Sequence, residues 1–370
     1  MKDSLQIAGF MSGTSMDSLD CCVCELSIDS NNRFKYKVIS QKSFDFDDSI
    51  INKIKKNIGR IKSRDIKEID DFLGKIFLEL STDFLSEYSL DYISMHGQTI
   101  YHKDRERSIQ VGNPAYLSNA FKIPVIYDFR SADIKLNGTG APLMPYLDWL
   151  IFKDYDKDIL TLNLGGISNV SMIPKKSKVD DVIGFDTGPG MSLIDECANK
   201  FWKSKCDYNG KYSSKGEIKG NMLNYLMDNT FISKKPPKST GRQDFGVDYI
   251  NEVIDRYSNL SNFDIIRTFV KFTSKSIKLN IEKFISNNYD IDELIVSGGG
   301  LNHPILINDI KKELDIPIRD IIDYGIESKF KESLLMAVLG YSKIKNIKNN
   351  VPSVTGASDN IVLGNIYEPQ

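Results

Sequence analysis

The sequence predicts an α/β fold spread over more than one domain, and three observations predict it. Short apolar runs that read as strands end in glycine-rich turns, most clearly at 162–170, 184–190 and 297–304. Stretches with apolar residues every three or four positions, at 48–88 and 263–285, read as helices covering a sheet. The 370 residues, 41% hydrophobic and 26% charged, exceed what one core usually organises, since single cores stop growing near ~250–300 residues.

The remaining elements are justified around one stretch, GFDTGPG at 184–190. An apolar run at 182–185 leads into Asp186 and a Gly-Pro-Gly turn, which is expected to hold that carboxylate at a strand end beside open backbone N–H groups. Taken alone, Asp186 reads equally well as the N-cap of the helix-like run that follows at 193–202. The company of two further glycine turns behind apolar runs tips the reading toward a phosphate-handling cleft.

In chain order, 5–10 reads as a strand, MSGTSMDS at 11–18 as a turn and 19–28 as a returning strand. Such a hairpin either has a merely polar tip or presents N–H and hydroxyl groups to phosphate oxygens. A short strand at 91–95 runs into HGQT at 96–99, where His96 is either a satisfied structural histidine or a ligand contact. The strand 125–127 leads to DFR at 128–130, Asp133 and a loop at 137–142. Arg130 and Asp133 are read either as an ion pair or, for Arg130, as a fork that grips an anionic group. The opening pattern then returns: a strand at 159–164, the turn GGISN at 165–169 and a returning strand at 170–173. This weak internal duplication suggests a nucleotide bound between two related halves.

The paired prolines of PPKSTGR at 236–242 exclude helix, so its basic residues meet either phosphate or water on a loop. A strand at 294–297 enters GGGLNHP, where three glycines let a flat ring lie against backbone. A helix at 332–344 and a glycine-containing tail close the chain.

A net charge of −2 gives no electrostatic reason to expect nucleic acid or an anionic membrane as partner. Five cysteines, odd in number and without the two CxxC pairs of a zinc site, argue for reduced thiols. No apolar signal segment precedes the first strand and nothing approaches ~18 consecutive apolar residues, so a soluble cytoplasmic protein is expected.

Nine of these segments, in order, resemble the anhydro-N-acetylmuramic acid kinases of the actin, sugar kinase and Hsp70 superfamily. They are MSGTSMD at 11–17 with Asp20, HGQT, DFR with Asp133, GAPL at 140–143, NLGGISN at 163–169, GFDTGPG, PPKSTGR, SGGG at 297–300 with Asn302, and TGA at 355–357. The resemblance implies a two-lobed actin-like ATPase (ribonuclease H-like) fold with ATP and Mg²⁺ in an interlobe cleft, assembled as a homodimer in the cytoplasm and acting on a small amino sugar. The lobes are expected at 1–145 with the tail 350–370, and at 146–349. The implied reaction opens a 1,6-anhydro ring and phosphorylates O6; a kinase of another amino sugar, or a non-catalytic nucleotide-binding homologue, are the alternatives.

By motif position, the resemblance assigns Asp186 as the base and Glu332 as its helper in holding the attacking water. It assigns Gly13, Thr14, Ser15, Met16, Asp17, Ser18, Leu19 and Asp20 to the first phosphate hairpin, with Asp17 a Mg²⁺ partner. Gly165, Gly166 and Asn169 form the second phosphate loop, and Gly298, Gly299, Gly300 and Asn302 the adenosine side. His96, Thr99 and Arg130 are the expected sugar contacts, Arg130 at the lactyl carboxylate. Three segments depart from the family's usual letters: Ser18 stands where it has Gly, Asn137-Gly138-Thr139-Gly140 where it has Gly-Gly-Gln-Gly, and Met191 where it has Asn. Ser18 is expected to crowd the phosphates, and Thr139 and Met191 to remove amides near the sugar.

Overall fold

A computed structural model describes residues 4–13, 16–31, 33–241 and 244–370. Its twelve strands are β1 (Ser4–Ser12), β2 (Ser18–Ile28), β3 (Phe34–Asp45), β4 (Tyr92–Lys103), β5 (Arg107–Val111), β6 (Val125–Tyr127), β7 (Ile159–Leu164), β8 (Ile167–Ile173), β9 (Ile183–Pro189), β10 (Glu293–Ser297), β11 (Ile318–Asp320) and β12 (Asn365–Tyr367). The chain divides into two compact units, Met1–Ile151 with Phe330–Gln370, and Phe152–Lys329.

In the first unit the sheet order is β12-β6-β4-β1-β2-β3, with β5 paired to β4. The β1–β2 and β2–β3 pairs are antiparallel, while β4 runs parallel to β1 and β6 parallel to β4. In the second unit the order is β11-β10-β7-β8-β9. There β7–β8 and β8–β9 are antiparallel, β10 is parallel to β7, and β11 is parallel to β10. Each unit thus repeats one scheme: an antiparallel meander of three strands whose first member is joined by two parallel ones. The duplicated hairpin read from the sequence is the visible part of this repeat, and the α/β class holds in both units.

The strands form where apolar residues alternate or run together. β1 buries Ile7, Ala8 and Phe10, and β7 buries Leu160, Leu162 and Leu164 completely. Each buried large side chain of this kind contributes ~1.5–3 kcal/mol. The amphipathic helices Asp48–Asn57 and Ser63–Leu85 cover the first sheet through Ile54, Leu73 and Phe77, while Asn262–Phe284 covers the second through Ile266, Phe269 and Ile277.

Four features differ from the sequence reading. The helix Lys331–Ile344, expected with residues 146–349, belongs to the first unit. It lies so close to β1 that a Cβ on Gly9 would sit 2.0 Å from the Ser333 carbonyl oxygen, and Ser94 on β4 donates to the Met336 carbonyl at 2.5 Å. The residues 146–151, which precede the chain's passage into the second unit, also stay with the first. β4 does not stop at Met95; its parallel pairing with β1 ends at Gln98, and from there it continues as the partner of β5. Likewise β9 runs through Asp186 to Pro189 rather than ending before it.

Candidate functional site

The three glycine turns of the second unit converge because only glycine fits their contacts. The Gly190, Met191 and Ser192 amides donate to the carbonyls of Gly166 (2.9 Å), Gly165 (2.8 Å) and Gly166 (3.1 Å). A Cβ on Gly190 would stand 2.2 Å from the Gly165 carbonyl oxygen. Gly298, at φ +93°, would put one 2.6 Å from the Leu164 backbone, and Gly300 2.7 Å from the Leu164 side chain. The amides expected to stay open beside Asp186 are therefore engaged in locking the β9 turn onto the β7–β8 hairpin.

At the polar end of this sheet the ladder sets four residues side by side. Ser297 on β10 pairs with Asn163 on β7, Asn163 with Asn169 on β8, and Asn169 with Asp186 on β9. Residues directly opposite on neighbouring strands share a face, so Asn163, Asn169 and Asp186 form one row. Asn163, the first letter of NLGGISN, has no role assigned from the sequence; the register places it in the row. Between Asp186 and Gly188 a bulge leaves Thr187 unopposed, and its carbonyl accepts from Ser276 Oγ at 2.5 Å and Asn280 Nδ2 at 3.1 Å. On the other side, the Asp186 amide donates to the Lys238 carbonyl at 3.2 Å, and the Thr240 amide donates to Asp186 Oδ2 at 2.8 Å. The base candidate is thus fixed at backbone and carboxylate alike.

Beyond Gly298 the chain makes a 3₁₀ turn, Gly299–Asn302, with Asn302 exposed. A Cβ on Gly299 would meet nothing within 4 Å, so this glycine faces open space rather than a protein neighbour. His303 pins the far side: it is 2% exposed, its Nδ1 accepts from the Leu306 amide at 3.1 Å, and its Nε2–H donates to Asp207 at 3.0 Å.

In the first unit, Thr14 and Ser15 lie outside the described residues, as does Arg242 in the second. Met16 adopts φ +58° and its amide returns to the Gly13 carbonyl at 3.1 Å, closing the hairpin turn; Asp17 is exposed at that turn. Ser18 is buried, with its hydroxyl donating to Asp20 at 3.2 Å. Leu19, 1% exposed, packs its side chain into the first core. Asp20 also accepts from Ser43 Oγ at 2.5 Å. The turn is tied to β4 by Gln98, which accepts from Ser12 Oγ at 2.7 Å and donates to the Gly13 carbonyl at 3.2 Å.

Arg130 donates from Nε to His96 Nε2 at 2.9 Å and from Nη1 to the Gly140 carbonyl at 2.8 Å. Since a guanidinium can only donate, His96 Nε2 bears the lone pair and Nδ1–H donates to the Gly97 carbonyl at 2.8 Å. Both ring nitrogens are engaged, so in this structure His96 supports Arg130. Burial, and secondarily the Arg130 charge, press the imidazole pKa down to about 3. Burial also lowers Arg130, to about 10, with Glu332 and Asp133 opposing, so it stays cationic at neutral pH.

Asp133 is completely buried and does not serve as the ion-pair partner considered from the sequence. Its oxygens accept from the Gly140 amide (2.9 Å), Thr355 Oγ1 (2.9 Å) and Asn350 Nδ2 (3.1 Å), fixing the loop that supplies Arg130's acceptor. Thr139 turns its hydroxyl to the Ala141 carbonyl at 2.6 Å, and Met191 is buried in the second core against Gly300. Thr99 Oγ1 accepts from Gln110 Nε2 at 3.1 Å. Glu332 opens the helix Lys331–Ile344 with an accessible side chain; desolvation raises its carboxyl, Arg130 opposes, and Asp20 adds to the rise.

A cavity of about 430 Å³ in the first unit is lined by His96, Gly97, Gln110, Asp128, Ser131 and Lys135, among others. Among the described residues no cluster of three or more His, Cys, Asp or Glu side chains forms a metal cage, and no helix is long and apolar enough to cross a membrane. A Mg²⁺ site of one carboxylate completed by phosphates and water needs no such cage, and the exposed Asp17 carboxylate suits that donor set.

A family model described as anhydro-N-acetylmuramic acid kinase matches residues 5–369. The anhydro-N-acetylmuramic acid kinase of Clostridioides difficile (strain 630) is 37% identical over 97% of both chains. That of Francisella tularensis subsp. novicida is 34% identical over 99% of both, and that of Bacillus cereus (strain G9842) 34% identical over 99% of this chain and 100% of its own. Among solved structures, a ligand-bound xylulose kinase from Lactobacillus acidophilus aligns at TM-score 0.48 with 11% identity, covering 99% of this chain and 94% of the other.

Proposed function

The chain belongs to the anhydro-N-acetylmuramic acid kinase family, and on that premise we propose that it opens the 1,6-anhydro ring of anhydro-N-acetylmuramic acid with ATP. The product is N-acetylmuramic acid 6-phosphate, formed in cell-wall recycling. The observation that carries this reading is the row ending in Asp186, whose carboxylate is oriented by the Thr240 amide beside Asn169 of the glycine hairpin.

An ordinary glycosidase needs one carboxyl group to protonate the departing oxygen and a second to activate water or attack. In a 1,6-anhydro sugar the departing oxygen is O6 of the same ring, and transfer of the γ-phosphoryl group to O6 takes the place of protonation. One base then suffices. Asp186 takes a proton from water as the water oxygen bonds to C1 and the C1–O6 bond breaks; ADP leaves, and the proton passes from Asp186 to solvent. Glu332 is the proposed helper in holding that water.

Gly165, Gly166 and Asn169, with Gly13 and the described residues of its turn, are the proposed phosphate contacts. Gly298, Gly299, Gly300 and Asn302 are assigned to adenosine, the open face of Gly299 admitting a flat ring. Mg²⁺, with Asp17 as a partner, would neutralise charge on the phosphoryl oxygens. Arg130, held in place by His96 and Gly140, is the proposed partner of the lactyl carboxylate, and Thr99, three residues after His96 on β4, is a further proposed sugar contact. Ser18, Thr139 and Met191 each have partners within their own unit, which supports an unaltered reaction. A homodimer is the proposed assembly.

The test is incubation of the purified protein with ATP, Mg²⁺ and the anhydro sugar, followed by mass spectrometry. Formation of the 6-phosphorylated, ring-opened sugar supports the proposal; ADP release with a different sugar only, or no turnover with any, contradicts it.

A further inference from the structure

In the sequence Lys238 is one of several loop cations expected to face phosphate or water, and its position answers to neither. It is 5% exposed. Its Nζ donates to the Phe231 carbonyl at 3.0 Å and the Ile232 carbonyl at 3.1 Å, and it lies 4.7 Å from the Phe231 ring centroid, 5.5 Å from that of Phe284 and 5.9 Å from that of Phe185. A cation among three ring faces and two carbonyls is well compensated for the water it loses. The same residue's main-chain carbonyl accepts the Asp186 amide at 3.2 Å, and two residues further on the Thr240 amide reaches the Asp186 carboxylate. Phe185, which contributes one of the rings, is the neighbour of Asp186 on β9.

We propose that Lys238 is a positioning residue for the reaction: its buried ammonium group clamps the 236–241 loop onto the second core, and that loop in turn fixes the backbone and the carboxylate of Asp186. The inference rests on Asp186 being the base of the proposed reaction. Burial lowers the Lys238 ammonium to about 8, with Asp186 raising it and Lys283 and Lys234 lowering it further. A lysine that pays this desolvation cost is retained for what it holds, since a methionine of similar length would fill the aromatic cage without it.

The test uses the full chain with Lys238→Met, Lys238→Arg, Asp186→Asn and the Asp186→Asn/Lys238→Met pair. In Lys238→Met, kcat falls at least ~10-fold while KM for ATP stays within about twofold, and Lys238→Arg, which keeps charge and donors, recovers most of the loss. Because Lys238 acts through Asp186, the double variant turns over no more slowly than Asp186→Asn alone. Independently of any substrate, hydrogen exchange at the Asp186 and Thr240 amides accelerates in Lys238→Met. Wild-type turnover in Lys238→Met, losses that multiply in the double variant, or unchanged exchange at both amides would overturn the inference. Absence of activity toward the anhydro sugar in the wild type would instead sink the proposed function, leaving the exchange rates to judge the clamp.

Discussion

The Thr240 amide donates to Oδ2 of Asp186 at 2.8 Å, so the loop after the paired prolines orients the carboxylate proposed as the base. Replacing that carboxylate by an amide of the same shape leaves an oxygen able to accept the same bond, and with it the loop and the glycine turns. Asp186→Asn is therefore expected to bind ATP as the wild type does and to lose at least ~10²-fold in turnover, the lower range of a general base's contribution. Calorimetric ATP binding and steady-state rates check it; a near-normal rate removes Asp186 from the role.

His96 predicts a pH signature. Its imidazole pKa is about 3 in the folded protein because burial and Arg130 disfavour the charged form, against an ordinary value of 6.5. The unfolded chain therefore binds more protons there below pH ~6.5, so the stability this neutral histidine contributes is complete above that value and falls as pH drops toward 3. Between pH 7 and 5 the wild type should lose about 2 kcal/mol more than His96→Asn, and the His96 ring resonances should not titrate over that interval. An NMR midpoint near 6.5 would contradict the Arg130–His96 geometry.

The glycines of the 298–300 loop separate structure from ligand contact. Gly298→Ala meets the Leu164 backbone at 2.6 Å and must hold φ +93°, so it should cost more than ~2 kcal/mol in chemical unfolding. Gly299→Ala meets nothing within 4 Å and should leave stability within ~0.5 kcal/mol of the wild type while raising KM for ATP. Equal effects of the two substitutions on stability would show that the loop is not packed in this way.

Strands that pair an apolar run with a glycine turn were legible in the sequence, which is why β1, β2, β7 and β8 and the helices Ser192–Trp202 and Asn262–Phe284 emerge close to their observed limits. β3 is hard to read from the sequence because its side chains are mostly half-exposed and the alternation of Phe34, Tyr36 and Val38 with Lys35 and Lys37 breaks down at Ser40, Gln41 and Lys42. The end of β9 was misplaced at Asp186 because Gly188 and Pro189 look like a turn, whereas a bulge at Thr187 carries the ladder past them. The Asn163–Asn169–Asp186 row depends on register across three strands, and no local pattern encodes it. Lys238 reads as a solvated cation from its neighbours Lys234 and Lys235; the cage of Phe185, Phe231 and Phe284 that buries it is assembled from three separate segments. The place of the helix Lys331–Ile344 in the first unit is hidden for the same reason, since the close approach of Gly9 to Ser333 joins residues more than three hundred positions apart.

The most direct measurement follows the oxygen. Reaction of the purified protein with ATP, Mg²⁺ and the anhydro sugar in ¹⁸O-labelled water should place the label in the C1 hydroxyl of the 6-phosphorylated product and leave the transferred phosphate unlabelled. Label in phosphate, with none at C1, would mean that water attacks the nucleotide rather than the sugar, and the proposed role of Asp186 would fall with it.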